Sequence, residues 1–310
     1  MAGVITGFAI ILSVIGVGFL LAKLGVINDD KQRLVLNRIA FYAATPALLF
    51  NVVARSDPSA LISPVIVVTF VATIVTAAVY CVISAIFFKK DIATTATGAA
   101  ASAYVNSNNI GLPVSIYVLG TGAYVAPILV MQMVICAPMI LAALTSGDVK
   151  GSRGQKIWAA VKGSLLSPIV LASIAGLIVC LLEIQLPAAV MEPTIILGGA
   201  SIPLILMSFG ASLPSTNVLA SKADRPSVLT ATAIKIVGMP AITWLIAKAF
   251  GLEGDYLYAA VILAALPAAQ NVYNYAATYR KGEIVARDTV FLTTFLALLG
   301  MLGIAALFGR

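Results

Sequence analysis

Residues 106–113 read Asn-Ser-Asn-Asn-Ile-Gly-Leu-Pro and interrupt an apolar run that extends from about residue 92 to about residue 119. A membrane helix is expected over such a run, yet proline removes a backbone donor and glycine loosens the backbone. The stretch therefore predicts a broken helix. In lipid, a break is tolerated only where the freed backbone groups are buried in protein or line a cavity. Discontinuous helices near the bilayer midplane form the substrate sites of many secondary transporters.

The composition is that of an integral membrane protein. Hydrophobic residues make up 61% of the chain and charged residues 10%, with a mean hydropathy of +1.07, whereas soluble domains carry about 25% charged residues. The 310 residues allow about ten spans of about 20 residues each, which excludes a sizeable soluble domain. The net charge of +7 is spread over short loops, so it indicates membrane topology and not a nucleic-acid partner.

Apolar runs separated by polar and turn-forming residues predict an all-α polytopic protein of ten transmembrane helices. A Gly-rich polar stretch at 147–163 separates two halves of five spans, 1–146 and 164–310, and is predicted to be a cytoplasmic linker. The predicted spans lie at roughly 4–22, 35–54, 64–88, 93–119, 124–145, 164–182, 193–213, 228–250, 256–279 and 288–308.

Charge predicts the orientation of these spans. Most of the 19 basic residues fall in the odd-numbered loops, and cytoplasmic loops carry the excess of Lys and Arg. We therefore expect both termini on the outer side of a plasma or inner membrane.

The two halves share a pattern. Segment two has Pro46 followed five residues later by Asn51, and segment seven has Pro203 followed five residues later by Ser208. The fourth member of each half, segments four and nine, is the interrupted one. Since five is an odd number, the second half is inverted relative to the first. A 5+5 inverted repeat with paired broken helices is the sequence pattern that best predicts a transporter site.

The first candidate site lies in segment four. Its break is placed at Pro113, and a half-helix beginning there presents its positive dipole end to the cavity, where an anion is attracted. The carboxamides can donate to a carboxylate or accept from a cation. Structural capping of the broken backbone is the alternative reading. The candidate substrate-binding residues are Asn106, Asn108, Asn109, Gly111 and Pro113.

The second candidate site lies in segment nine. Gln270 and Asn274 are four residues apart and share a helical face if the helix resumes after the proline. Tyr273 and Tyr275 have two readings, site contact or the interfacial aromatic belt, of which the belt is favoured. The candidate substrate-binding residues here are Pro267, Gln270, Asn271 and Asn274.

Lys235 is the one basic residue well inside a predicted span. It is a candidate to neutralise an anionic substrate, although a lysine near a helix end more commonly extends to the interface. No carboxylate is predicted in mid-membrane, so proton coupling has few candidates. Sodium bound by backbone carbonyls and Asn is one alternative, and an uncoupled carrier driven by the membrane potential is the other.

Several chemistries have no support in the sequence. There is no histidine, and the three cysteines are far apart, so no metal site is predicted. There is no phosphate-binding loop motif for ATP. A serine nucleophile would lack its histidine, and an aspartyl protease would lack its two mid-span aspartates. We therefore expect no enzyme and no cofactor, with sodium or proton coupling left open.

The ten-span layout and three motifs resemble the auxin efflux carrier family, which includes plant PIN carriers and bacterial members described as malonate transporters. The resemblance covers nearly the whole chain. The most specific motif is Asn-Asn-Ile-Gly-Leu-Pro in segment four, at residues 108–113. The other two are Thr45-Pro46-Ala47-Leu48-Leu49-Phe50 in segment two and Leu266-Pro267 in segment nine.

This resemblance implies a scaffold part and a transport part that move by an elevator mechanism, in a homodimer. It also implies that the broken helices cross at Pro113 and Pro267, with Asn109 next to a bound carboxylate. The central loop is short, so control by phosphorylation of a long loop is not expected, and the short form resembles the bacterial members.

The resulting expectation is a carrier that moves a small organic anion, a mono- or dicarboxylate, outward across the bilayer. A sodium- or proton-coupled organic-acid symporter is the close alternative. A membrane receptor that binds a ligand without moving it is a more distant one.

Overall fold

A computed structural model describes residues 2–55, 64–111, 114–115, 118–120, 124–145, 166, 168–214 and 218–309. Helices dominate this part of the chain, and no β-strand forms in it; an isolated antiparallel bridge joins Val105 and Ala268. The helical segments are α1 (Ala2–Lys23), α2 (Lys31–Ala54), α3 (Pro64–Phe88), α4 (Ile92–Ala103), α5 (125–145), α6 (Pro168–Leu181), α7 (Ala188–Ser212), α8 (Arg225–Ala249), α9 (Gly254–Ala264), α10 (Gln270–Tyr279) and α11 (Glu283–Leu307).

These helices fit a protein that crosses the membrane several times. Five of the described segments, α2, α3, α7, α8 and α11, are long and apolar enough to span a bilayer, and shorter apolar helices accompany them. The chain is therefore a polytopic membrane protein, as its composition predicts. The arrangement as ten spans in two inverted halves stays a prediction.

The chain divides into two compact units, and each unit takes segments from both halves of the sequence. Unit 1 consists of Met1–Gly7, Ile62–Ser164 and Val218–Arg310, and unit 2 of Phe8–Leu61 and Leu165–Asn217. The compact units thus do not coincide with the sequence halves 1–146 and 164–310, whose equivalence as repeats is a separate prediction. Unit 1 contains both predicted breaks, in segments four and nine.

Short turns connect the helices of unit 1. The backbone of Lys89 adopts the left-handed conformation, with φ +48°, and ends α3. Asp91 then caps α4 by accepting from the Thr94 amide at 3.0 Å. Gly282, with φ +62°, precedes α11, and a Cβ there would lie 2.9 Å from the Thr97 side chain. Both the backbone conformation and the close approach favour glycine at this turn.

Polar side chains tie the helices of unit 2 together. The hydroxyls of Thr45 and Ser201 lie 2.7 Å apart in a fully buried hydrogen bond between α2 and α7. The Thr194 hydroxyl of α7 donates to Asn51 Oδ1 of α2 at 3.1 Å. Gly198 allows a close helix contact, because a Cβ at this position would lie 2.8 Å from the Leu48 Cα.

Candidate functional site

Two extended segments of unit 1 pair with each other where the helices break. The Ala269 amide donates to the Tyr104 carbonyl at 3.0 Å, and the Asn106 amide donates to the Pro267 carbonyl at 2.9 Å. These bonds flank the antiparallel bridge between Val105 and Ala268. We call residues 104–106 and 265–269 the crossing. It brings together the segments in which both candidate sites were predicted.

The break in segment four begins earlier than predicted. Helix α4 ends at Ala103, and Tyr104 is extended with φ −86° and ψ 105°, shortly before the stretch 106–113 over which the sequence predicted the break. Pairing with the second broken segment ends the helix, and no proline or glycine marks that point. Pro113 lies outside the described residues, so its place in a crossing stays a prediction. In segment nine, α9 ends at Ala264, and Pro267 lies in the extended segment as expected.

Side chains from three other helices satisfy backbone groups at the crossing or at the end of α9, which directly precedes it. Gln132 Nε2 of α5 donates to the Val105 carbonyl at 3.0 Å. The Thr293 hydroxyl of α11 accepts from the Ala268 amide at 3.1 Å. Lys235 Nζ of α8 donates to the Ala264 carbonyl at 3.1 Å. This is what a broken helix in a membrane protein requires, since its backbone groups have no water to bond.

Gln132 and Thr293 were not identified from the sequence. Both are polar residues inside apolar runs, which is the signal that could have pointed to them. Gln132 begins a π-helical turn, Gln132–Cys136, and Lys235 lies in another, Ile234–Gly238. Such turns are rare and often occur at functional sites. The sequence pattern does not reveal which backbone group each side chain contacts.

The crossing gathers four carboxamide residues. Asn106 Nδ2 donates to Gln270 Oε1 at 3.3 Å, and both side chains are buried. Ser107 Oγ donates to Gln132 Oε1 at 2.7 Å. Asn271 is half-buried and its side chain hydrogen-bonds to the buried Tyr104. The four amide side chains therefore lie in or next to the crossing inside unit 1, each with a hydrogen-bond partner there.

The other predicted residues have the following positions. Asn274 is buried on α10, one turn after Gln270. Gly111 lies close to the second broken segment, because a Cβ there would be 2.9 Å from Leu266 Cδ1. The side chains of Asn108 and Asn109 lie outside the described residues, so their predicted contact with a carboxylate stays a prediction.

Two readings of the sequence were wrong. Lys235 does not extend to the interface: it is fully buried, and its amine also lies 2.9 Å from Met239 Sδ. Tyr273 and Tyr275 are buried as well, with 2% and 1% of their surface exposed, so they do not form part of an exposed aromatic belt. In both cases tertiary packing encloses side chains that a single helix would present to the membrane surface.

Helix α10 begins directly after the crossing and gives it an electropositive end. Its N-cap, Ala269, is extended and provides no side-chain cap. The first amides of a helix carry partial positive charge and favour an anion. Gln270 and Asn271 occupy the first turn of this helix. The arrangement of amides and helix end is chemically suited to a carboxylate.

A second polar group of unit 1 lies away from the crossing, at the ends of α3, α8 and α11. Lys90 Nζ pairs with Asp224 Oδ1 at 2.8 Å, and Ser221 donates to the same carboxylate. Burial alone would raise the pKa of Asp224, but the hydrogen bonds from Lys90 and Ser221 hold it below its usual value. Asp288 is fully buried and accepts from the Leu219 amide at 2.9 Å. These hydrogen bonds hold the loop that precedes α8 in place.

The cavities add little to the crossing. A cavity of about 170 Å³ beside Tyr104 has alanines and Cys136 among its walls, and this apolar lining does not suit a carboxylate. A polar cavity of about 380 Å³ lies between Lys90, Asp224 and Glu283. Within the described ranges no group of three His, Cys, Asp or Glu side chains could hold a metal ion.

Comparison with known proteins identifies the family. The family model described as "Membrane transport protein" matches residues 4–152 and 154–305. A protein of Rhizobium meliloti (strain 1021) named "Putative malonate transporter" is 27% identical over 97% of this chain and 94% of its own length. An "Uncharacterized transporter" of Methanothermobacter thermautotrophicus is 25% identical over 94% of each chain. The chain therefore belongs to the membrane transport protein family, that of the auxin efflux carriers its motifs resemble, and it is a membrane transporter and not an enzyme.

Proposed function

We propose that this transporter carries a small organic anion, a mono- or dicarboxylate such as malonate, outward across the cell membrane. The observation that carries the proposal is the crossing, where carboxamides of both broken segments meet at the start of α10. The name of the Rhizobium meliloti relative supports malonate as the first substrate to test.

Charge explains why a carboxylate suits this place. Amide N–H groups and the first turn of α10 are donors that favour a negatively charged ligand. The amine of Lys235 lies in the same unit and approaches the last carbonyl of α9. Among the described residues with buried side chains, Asp288 is the acidic one, and Leu219 and Arg287 hold its two oxygens.

We further propose an elevator-type alternating-access movement in which unit 1 carries the substrate. The support is that the site candidates whose contacts are described all belong to unit 1. An interior-negative potential favours anion export by about 2.3 kcal/mol per charge at 100 mV. A homodimer, the plasma membrane as location and outward-facing termini belong to the same proposal and rest on family likeness and charge pattern.

The alternative within the same fold is a sodium- or proton-coupled symporter. Backbone carbonyls at a break are the groups that hold sodium in such carriers, although those of Tyr104, Val105 and Pro267 at the crossing accept hydrogen bonds within the protein. A non-transporting receptor is the more distant alternative. Sodium dependence of substrate binding would distinguish the symporter from the uncoupled carrier.

The test is counterflow of labelled malonate into proteoliposomes preloaded with unlabelled malonate. We expect rapid accumulation of label that external unlabelled malonate abolishes. Dimethyl malonate, which has the same carbon chain without charge, should not compete, because the amide donors and the α10 end select a carboxylate. Equal competition by the ester, or no accumulation with correctly folded protein, would reject the proposal.

A further inference from the structure

The C-terminal end of α9 lies at the crossing and has an unusual partner. The last carbonyls of a helix have no partner within the helix and carry partial negative charge. In ion-coupled carriers, half-helix ends of this kind hold the coupling cation. Here the carbonyl of Ala264, the last residue of α9, accepts from Lys235 Nζ at 3.1 Å. A side-chain amine thus donates to the carbonyl at this helix end.

The amine of Lys235 contacts a backbone carbonyl and a thioether. The residue is fully buried, and its second contact is Met239 Sδ at 2.9 Å. The ion pairs in the described part of the chain join other residues and do not include Lys235. Enclosing a lysine within a membrane protein costs free energy, and such residues mark substrate or ion pathways. Lys235 lies in the π-helical turn Ile234–Gly238, which interrupts the regular α-helical hydrogen bonding of α8.

We propose that Lys235 is a built-in substitute for a coupling cation. Its amine supplies the positive charge at the end of α9, so that binding of an organic anion requires no sodium. Removal of the side chain turns this position into a site for a free monovalent cation. The first part of this inference rests on the proposed function, whereas the second concerns the cation site alone.

The first experiment refills the position chemically. Lys235→Ala removes three carbons and the amine, which are the atoms of propylammonium. We expect propylammonium chloride to raise the melting temperature of the purified variant by about 2 °C or more relative to choline chloride at equal ionic strength, because a ligand of the folded state stabilises it. Sodium chloride should act in the same direction. Neither salt should stabilise the unsubstituted protein.

Met239→Ala is the matched control. It opens a cavity beside the same amine and keeps the charge, so propylammonium should not stabilise it. Neutral 1-propanol should act on both variants alike. An equal propylammonium effect on both variants, or none on Lys235→Ala, overturns the inference. If Lys235→Ala does not fold, Lys235→Gly, which lacks the Cβ as well, is tested with butylammonium, whose carbons and amine match the missing atoms. Folding of either variant only when its ammonium ion is present supports the inference, and failure to fold in its presence overturns it.

The second experiment measures transport. Malonate counterflow by the unsubstituted protein should be equal in sodium and choline media. Malonate transport by Lys235→Ala should fall about tenfold or more, since the substitution removes a hydrogen bond to a charged group. Propylammonium or sodium should raise the transport rate of this variant several-fold. A sodium requirement of the unsubstituted protein overturns the inference. The melting experiment needs no substrate, so a cation effect without malonate transport rejects the proposed function and leaves the cation site standing.

Discussion

The two compact units use polar side chains in different ways. In unit 2, Thr45 of α2 and Ser201 of α7 bond to each other as side chains, beside a turn at Ala200 within α7. In unit 1, the helices break, and Thr293 and Gln132 bond to backbone groups of the broken segments. Unit 2 thus joins helices through paired side chains, whereas in unit 1 side chains complete the backbone of two interruptions.

This difference is the reason for placing the proposed site in unit 1. A buried polar pair between two helices contributes stability and close packing. Side chains that complete a broken backbone allow amides, helix ends and carbonyls to meet inside the membrane region. Substitutions in unit 1 should therefore affect transport beyond their effect on stability, and substitutions in unit 2 should affect stability alone.

The largest effect is expected for Asn109→Ala combined with Pro267→Ala. The first change removes a predicted carboxylate donor, and the second allows helix to extend into the crossing. We expect malonate counterflow to fall by about 100-fold, which corresponds to about 2.7 kcal/mol. Thr194→Ala in unit 2 is the control and should keep transport near its original rate. Unchanged transport in the double variant would contradict the assignment of the site.

The next effect is expected for Thr293→Val. Valine has nearly the same shape but leaves the Ala268 amide without its acceptor, and a buried unpaired donor costs about 1–3 kcal/mol. The melting temperature and the transport rate should both fall. Thr294→Val is the matched control, because the Thr294 hydroxyl donates to Val290 within its own helix. Equal effects of the two substitutions would show that the crossing does not depend on Thr293.

A steric change in unit 2 should affect stability without changing substrate affinity. A Cβ in Gly198→Ala would lie 2.8 Å from the Leu48 Cα, whereas one in Gly199→Ala would meet no atom within 4 Å. We expect Gly198→Ala to cost about 1–2 kcal/mol and Gly199→Ala almost nothing. Thermal unfolding measures the cost, and the KM for malonate should stay constant. A changed KM would contradict the separation of roles between the units.

The smallest effect is expected on the pH dependence of stability, from Asp224 in the polar group that lies away from the crossing. The pKa of Asp224 is lowered in the folded protein, so its stabilising contribution is complete above the unfolded pKa of about 3.9 and is lost as pH falls through the lower folded value. Because the pair is partly exposed, the contribution is below about 1 kcal/mol. Asp224→Asn should remove the part of the stability loss that sets in as pH falls below about 4. An unchanged pH profile would mean that Lys90 does not stabilise this carboxylate.

Much of this organisation follows from the sequence alone. Apolar runs predicted a helical polytopic membrane protein, and Pro267 marked the second break. The start of the first break could not be predicted, because pairing of Tyr104 with Ala269 determines it and no local breaker stands at that position. The burial of Lys235 has a similar cause: a carbonyl 29 residues away in the chain holds its amine.

The most direct test of the account is net uptake into substrate-free proteoliposomes of a panel of labelled mono- and dicarboxylates under an imposed membrane potential. Sodium and proton gradients are absent. We predict that one acid, with malonate the first candidate, accumulates to a higher level as the inside-positive potential is raised, as an uncoupled anion carrier requires. Accumulation that appears only when a sodium or proton gradient is added would contradict the account and indicate a symporter. No uptake of any acid in the panel by folded protein would contradict the account and favour a receptor.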